Sequence, residues 1–558
     1  MKNTKLIIIF LVLVAFFSCE DSFEKALTDE PINLFTQAQI FSTEEGLESA
    51  VNGMYFNLQD FGYYGASHYL LTWPHSAKFF SNQGSLNVDV GSFNTQNTNV
   101  NLDRLWAGMY KTINTANTLI QNIENTDLAN KDTSLGQAYF IRGLTYYNLV
   151  RHFGEVPIRA ESTTTETLNL AKSPIEDVFN LVFHDFKLAA QLLPDRGEYL
   201  VGRPLKYAAN GYMADAYMWL AGKDGADASY IEESKLTELN STNFWEEAKD
   251  QLDIVINDGG YNLTPTYSEL WAEGNENTSE SIFELQYGHT GDVRVSAFLR
   301  DISLRHGPTI PPATLAFNRV KPNKEIFSDH IIQYSGLDYS GQDFIPAGTI
   351  TDIITLNPSI ADPRINTTFI YNSFIRTNNG SVANLFPRIS GRNNFARAFL
   401  NKYSDQTYIS ISQEVNLRML RYADILLRRA EVENELNGPT NAYQYVNQVL
   451  GRARNTATGT TVEPADWNAT SVTDQDTFRA RIMKERDYEL CGEGHEWYDV
   501  RRRGVNYLQE VVDYHNAAVN FYNSSGGNTG DFILENVENE MTFPIPLSEI
   551  TGNNLIND

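Results

Sequence analysis

Leu420-Arg421-Tyr422-Ala423-Asp424-Ile425-Leu426-Leu427-Arg428-Arg429-Ala430-Glu431, followed by Asn437-Gly438-Pro439, is the stretch whose reading decides the fold. Leu420, Ala423, Leu427 and Ala430 recur at intervals of three and four, which puts them on one face of a helix. Gly438 and Pro439 end that helix, because glycine takes the backbone of a helix end and proline opens the next helix. A second helix then carries Ala442, Val446, Val449 and Ala453 at spacings of four, three and four. The small residues Ala423, Ala430, Ala442 and Ala453 let the two helices approach closely. The product is an antiparallel helical hairpin.

The same period recurs upstream. Ser42-Thr43-Glu44-Glu45 has the form of a capping box, with Ser42 as N-cap and Glu45 three residues on. The helix it opens aligns Leu47, Ala50, Val51, Met54 and Leu58. Further stripes run over Leu105–Ile123, Ala138–Phe153, Ile175–Leu193, Tyr207–Leu220 and Trp245–Ile256, with Pro157, Pro194 and Gly259-Gly260 near helix ends. The fold class expected is mainly α, built from degenerate helix pairs of the tetratricopeptide kind, although no strict 34-residue repeat is present. Between about Gly259 and Asn416 the texture changes to short β-leaning runs, such as Ser281 to Tyr287, set among Gly, Pro, Asn and Asp. That pattern reads as a loop-rich region with small strands, and a second Asn- and aromatic-rich loop region is expected from about Phe61 to Leu102. Long loops on a rigid scaffold are where binding usually sits.

The amino terminus has a separate logic. Lys2 and Lys5 precede a run of twelve apolar residues, Leu6 to Phe17, then Ser18 and Cys19. A run that short does not span a bilayer but suits the apolar core of a signal peptide. A cysteine after a small residue at that point is the layout of a bacterial lipoprotein signal, so residues 1–18 are expected to be removed and Cys19 lipidated. Phe16 and Phe17 depart from the usual residues before such a cysteine. Glu20, Asp21 and Glu24 follow as an acidic tether.

Composition bounds the partners. The net charge of −27 repels nucleic acid, whose binding rests on Lys and Arg displacing counterions. Arg501-Arg502-Arg503 is short and reads as local ion pairing. Aromatic residues make up 12% of the chain, enough for a core and for stacking against flat ligands. The sequence contains no G-x-S-x-G elbow, no phosphate-binding loop and no dinucleotide fingerprint. Glu493, His495 and Glu496 invite a catalytic reading, yet the run lacks the second His that a zinc helix needs, and a buried ion-pair network is the expectation. Cys491 reads as a buried apolar thiol.

These motifs, taken in order, resemble the SusD/RagB family of nutrient-binding outer-membrane lipoproteins of Bacteroidetes. The resemblance covers essentially the whole chain. It rests on Phe41 to Glu45 with Ala50 to Tyr55, Ile141 to Val150, Phe153 to Pro157, Asp362-Pro363-Arg364, and Leu420 to Glu431. It continues through Glu485-Arg486, Glu489-Leu490 and Glu493 to Asp499, and closes on Phe543-Pro544-Ile545-Pro546 with Glu549-Ile550 and Asn553. Arg428 stands where an apolar residue is common. The resemblance implies a superhelical scaffold of tetratricopeptide-like pairs, with a SusD-like N-terminal region at 19–280 and a RagB/SusD region at 281–558. It also implies a non-enzymatic role without cofactor or metal: capture of an oligosaccharide at the cell surface and delivery to a SusC-like TonB-dependent transporter in the outer membrane. The alternatives it leaves are a peptide-binding lid of such a transporter and a surface glycoside hydrolase. The acidic stretch after Cys19 resembles the signal that sends such lipoproteins to the cell exterior.

The family's shared motifs do not carry its ligand contacts, so candidates come from physics. Sugar rings stack their C–H faces on aromatic side chains and hydrogen-bond through hydroxyls. Tyr64, Tyr69, Trp73, Phe80 and Asn82 supply that mixture within one expected loop, and Tyr287 supplies it at the end of a short strand.

Overall fold

The computed structural model describes residues 37–557 apart from 82–86, 125, 198–199, 222–242, 289–296, 313, 315, 347, 349–352, 387–396, 410–412 and 525–529. Cys19, with the leader before it and the acidic tether after it, lies outside the described residues, as does Asn82.

The periodic stripes become helices with nearly the expected limits. Helix α1 spans Glu44–Leu58, α2 the short Ser67–Thr72, α3 Val100–Ile123, α4 Lys131–Phe153, α5 Ile175–Leu192, α6 Lys206–Ala221 and α7 Phe244–Asp258. After the loop-rich excursion come α8 at Tyr422–Asn437, α9 at Pro439–Arg454, α10 at Gln475–Glu489, α11 at Glu496–Arg502 and α12 at Gly504–Ser524. Gly438 has φ 80° between α8 and α9, with Pro439 in the first turn of α9, so the hairpin ends as the dipeptide dictates. The α1 cap is corrected by one residue. Thr43, not Ser42, is the N-cap, its Oγ1 accepting from the Gly46 amide at 3.1 Å, while Ser42 Oγ donates to the Gln39 carbonyl. The two hydroxyls are adjacent, and only the backbone at Thr43 is extended enough to turn one onto the first turn.

Each helix packs on the next: α3 on α4, α4 on α5, α5 on α6, α6 on α7, and α8 on both α9 and α10. The array does not break where the sequence breaks. Helix α7 packs directly on α8, although 163 residues separate Asp258 from Tyr422. A two-stranded antiparallel staple makes this possible, β2 (Ser281–Leu285) against β8 (Leu417–Arg421), with Ser281 opposite Arg421 and Leu285 opposite Leu417. The Tyr422 amide donates to the Glu280 carbonyl at 2.9 Å, pinning the start of α8 to the start of β2. The excursion therefore leaves and returns at one point. Among the described residues it carries a helix at Lys324–Tyr334 and short strands, β3 (Val320–Pro322) pairing with β1 (Phe79–Ser81) of the N-terminal half, β4 (Phe369–Ile370) with β7 (Phe399–Leu400), and β5 (Ser373–Ile375) with β6 (Val382–Asn384).

One apolar core runs through the whole array, from Leu47 of α1 to Phe543 near the C-terminus. The region from Phe61 to Leu102 differs from the loop expected there. Tyr63, Tyr64, Tyr69 and Trp73 are buried, Tyr69 on the short helix α2 and Trp73 directly after it. Aromatic side chains in a stretch rich in Asn and Gly are ambiguous between ligand stacking and core, and here most of their apolar surface is packed into the core, as is that of Tyr55 and Tyr287.

Candidate functional site

The motif residues of the second half form a buried charge network. Arg421 donates to Glu280 at 2.6 Å, to Glu489 at 2.7 Å and to Glu493 at 2.6 Å. Arg364 reaches Asp362 at 2.8 Å, Glu485 at 2.7 Å and Glu489 at 3.0 Å. Arg452 adds bonds to Glu280 and Glu489, and Lys402 pairs with Glu493 at 2.8 Å. The Arg452, Arg421 and Arg364 guanidiniums, against the opposing cost of burial, hold the Glu489 carboxyl well below the usual carboxylate range. A parallel set joins Asp424 to Arg428 and Arg486, and Asp499 to Arg486 and Arg502. Arg502 also grips Glu431 at 2.5 Å, as the ion-pairing reading of the arginine run expects. Arg501 departs from that reading: it donates to the carbonyls of His75 and Glu540 and to His75 Nδ1. Burial pushes the Cys491 thiol well above its ordinary value, as befits an inert apolar thiol.

Glu496 is the unpaired member of this region. Its Oε1 accepts from the Gly492 amide at 2.6 Å, but Oε2 has no partner, and burial lifts the carboxyl to about 7 from 4.5. A group whose folded value is raised stabilises the fold at low pH and loses that contribution as pH rises through the folded value. Glu496→Gln, which removes the charge and keeps the shape, is therefore expected to gain about 1 kcal/mol over the parent between pH 6 and pH 8. Urea unfolding of both proteins at the two pH values measures it, and a gap independent of pH would contradict it.

Three of the sequence candidates meet around one inner cavity. Tyr64, Tyr69 and Trp73 line it together with His68, Arg151, Asp215 and Tyr498. Tyr63 and Tyr64 stack at 4.3 Å, and both hydroxyls accept from Asn148 Nδ2, at 2.7 and 2.6 Å. Tyr498 Oη bridges His68 Nε2 at 2.7 Å and His152 Nε2 at 2.9 Å. Arg151 lies between the Tyr147 and Tyr498 rings, 3.6 and 3.8 Å from their centres, and pairs with Asp215 at 3.1 Å. Burial, reinforced by Arg151, pushes His68 down to about 3, so it is a neutral hydrogen-bonding group here. The cavity measures about 70 Å³, room for a few water molecules and too little for a pyranose ring. Phe80 lies away from it, half-buried between Arg397 and Lys321 at 4.0 and 5.2 Å.

The last candidate, Tyr287, lines a larger outer cleft of about 320 Å³. Asn52, Tyr55 and Gln59 line one wall from successive turns of α1, three and four residues apart on a single helix face. Gln286, Tyr287 and Gly288, just beyond β2, line the other, with Val201-Gly202-Arg203 across one end. Each wall is held from behind. Tyr55 Oη donates to Gln137 Oε1 at 2.9 Å, the Tyr287 amide donates to Asn416 Oδ1 at 2.8 Å, and Gln286 exchanges bonds with Asn277 and accepts from Asn416 Nδ2. Arg203 lies over the Tyr55 ring, 4.3 Å from its centre, with Nη2 donating to Glu48 at 2.6 Å and to Asn52. Gly202 has φ 88°, and a Cβ there would run into the Gln286 side chain, so only glycine lets this loop close the end of the cleft. Sequence reasoning missed Asn52, Gln59, Arg203 and Gln286. The residues of α1 are three scattered polar or aromatic positions of an amphipathic helix, and Arg203 reaches them only after α6 is docked.

Among the described residues, no group of three or more His, Cys, Asp or Glu side chains is placed to hold a metal ion, and no helix is long and apolar enough to cross a membrane.

A mainly α, tetratricopeptide-like scaffold with a loop-rich excursion and a cleft where the excursion meets the first helix defines the class. The family model described as "SusD family" matches residues 279–557, and one described as "Starch-binding associating with outer membrane" matches residues 30–218. The chain belongs to the SusD family. It is 25% identical over 552 residues to the SusD-like protein P25 of Formosa agariphila, covering 92% of each chain. A solved structure described as a laminarin-binding SusD-like protein superposes with a TM-score of 0.64 at 17% identity, covering 92% of this chain and 98% of that one. A crystal structure described as being with xylogluco-oligosaccharide gives 0.63 at 17% identity, with the same coverage.

Proposed function

We propose that this chain is a surface lipoprotein, anchored in the outer membrane through lipid on Cys19, that captures an oligosaccharide in the outer cleft and passes it to a SusC-like TonB-dependent transporter without chemistry of its own. Family membership supports the class of function, and the names of its structural neighbours favour a glycan cargo. The observation that carries the ligand site is the cleft itself. It has two tyrosine rings, Tyr55 and Tyr287, among the side-chain amides of Asn52, Gln59 and Gln286, and its volume suits one or two sugar units. Amides answer hydroxyls, and rings answer C–H faces. Tyr64, Tyr69 and Trp73 take a different place in this reading, as the rigid wall behind the site. Phe80 is proposed as a peripheral contact.

Tyr287→Ala is expected to weaken binding of laminarin or xylogluco-oligosaccharides by about tenfold or more, since a stacking ring at a desolvated contact is worth about 1–3 kcal/mol in such sites. Calorimetric titration of purified protein measures it, with Trp73→Ala as the comparison. If Trp73→Ala abolishes binding in a folded protein while Tyr287→Ala has no effect, the inner cavity and not the cleft is the site. Cys19→Ala is expected to release the protein from the membrane fraction with its affinity intact and its support of uptake lost.

A further inference from the structure

The charges around the cleft carry a second reading, which rests on the cleft being the ligand site. Arg203 is the one cationic side chain among the described residues that line it. A guanidinium at the end of a sugar-sized cleft would ordinarily suggest an acidic ligand, because its planar fork matches carboxylate and sulfate. Here that demand is already met. Nη2 gives its hydrogens to Glu48 at 2.6 Å and to Asn52 Oδ1, and the guanidinium plane lies over the Tyr55 ring. Among the described residues nothing takes the hydrogens of Nε and Nη1, and neither atom is an orphan sealed from solvent. Those N–H groups remain for oxygen acceptors in the cleft.

Glu48 decides which acceptors. Its side chain is about one-third exposed, one helical turn before Asn52, so it does not line the cleft itself but sets a solvent-facing negative charge directly against Arg203, which does. A hydroxyl oxygen accepts from Arg203 without disturbing that pair. A carboxylate or sulfate must either displace Glu48 or sit beside it as a like charge. Among the described residues nothing else offsets the repulsion: the remaining lining side chains are Asn52, Tyr55, Gln59, Gln286, Tyr287 and aliphatic residues. The chain as a whole carries −27, which adds a repulsive field to the approach of any polyanion within a Debye length of the surface.

We propose that the cleft selects a neutral, hydroxyl-rich sugar unit, with Arg203 as the donor fork and Glu48 as the group that bars uronate and sulfated glycans from it. Arg203 is the specificity-determining residue, and Glu48 acts through it.

The test is calorimetric titration of the full chain at about 150 mM salt, where screening leaves only local pairs effective. The neutral probes are laminarihexaose, cellohexaose and xylogluco-oligosaccharide, and the anionic probes are hexagalacturonate and a chondroitin sulfate hexasaccharide. The best neutral probe is expected to bind at least about tenfold tighter than either anionic one. Glu48→Gln, a substitution on an exposed helix face that keeps an acceptor for Arg203, is expected to close that gap by about tenfold through a gain for the anionic probes. The quantity read is the ratio of neutral to anionic affinity, which a general loosening of the cleft would leave unchanged. Arg203→Gln weakens the neutral probes and abolishes the gain in the double variant. An anionic probe that binds the parent as tightly as the best neutral one overturns the inference, as does a gap that Glu48→Gln leaves unchanged. Binding that is insensitive to both Tyr287→Ala and Arg203→Gln overturns the cleft as the site, a failure distinct from the failure of the charge argument.

Discussion

Glu489→Ala is expected to lower the unfolding free energy by about 3–5 kcal/mol, the cost of breaking a buried ion cluster by removing one partner. Glu489 is fully buried and accepts from Arg364, Arg421 and Arg452 at once. Its removal leaves three guanidiniums in the interior, with Asp362, Glu485, Glu280 and Glu493 to share among them. The desolvation of those cations was tolerable only because the carboxylate answered them, so the loss exceeds what any single bond contributes. These guanidiniums come from the end of β8, the end of α9 and the Asp362–Arg364 turn, while Glu489 ends α10. The variant should therefore loosen the joint between the helical array and the excursion. Urea denaturation at pH 7 measures the effect, with Lys484→Ala as control. The Lys484–Asp329 pair is half-exposed at 3.0 Å, and its loss should cost under about 1 kcal/mol. Equal effects in the two variants would show that the cluster is not a joint. The pH dependence has a defined sign. The carboxyls of Glu489, Asp424 and Asp499 are depressed in the folded state, so their stabilisation is complete above the ordinary carboxylate values of 4.5 and 3.8 and is lost as pH falls below them. Glu489→Ala should flatten that acid limb.

Trp497→Ala is expected to cost about 3–5 kcal/mol, the range for removing a large aromatic side chain from a packed core. Trp497 has no exposed surface and stacks on Phe543, with centroids 5.5 Å apart and an interplanar angle of 17°. Its Nε1 donates to His75 Nδ1 at 3.0 Å, the same atom that accepts from Arg501 Nη2 at 3.0 Å. Two donors on Nδ1 fix His75 as the neutral tautomer with its proton on Nε2, facing Glu540 at 2.7 Å. The indole therefore fastens the C-terminal segment to the middle of the chain through Phe543 and His75 together. Limited proteolysis should show earlier cleavage after residue 530 in the variant, and Trp497→Phe should recover part of the stability by restoring the stack but not the hydrogen bond. Unfolding midpoints that match for the parent and the alanine variant would refute this account.

How much of this was legible beforehand follows from the range of the interactions. Helices α3 to α9 could be read because their signal is local: apolar residues three and four apart, and Gly438-Pro439 at a boundary. The same holds for Ser281 to Leu285 as a strand and for Cys491 as an inert thiol. The motif Glu485 to Asp499 was legible as structural, because nothing in its spacing met the needs of a metal or a nucleophile. The cap of α1 slipped by a residue because Ser42 and Thr43 offer the same chemistry. The Phe61–Leu102 region, expected as a loop, instead carries α2 and rings packed into the core. Tyr64, Tyr69 and Trp73 have the composition of a binding loop, but composition does not say which way a ring faces.

The cleft was the least legible feature. Tyr287 pointed to it, yet its other walls come from α1 and from the turn before α6, elements about 85 to 235 residues away in the chain. By itself, the sequence determined the helical scaffold, its hairpin at residues 420–454 and the family to which these motifs belong. Each of those follows from neighbours within a few turns or from a linear pattern. Only the tertiary structure decided that α7 continues onto α8 across the excursion, which acid answers which arginine inside, and that Arg203 meets Glu48 beside Tyr55 and Tyr287. Those facts depend on which distant groups share a dielectric and a few ångströms of space, and chain order does not encode that distance.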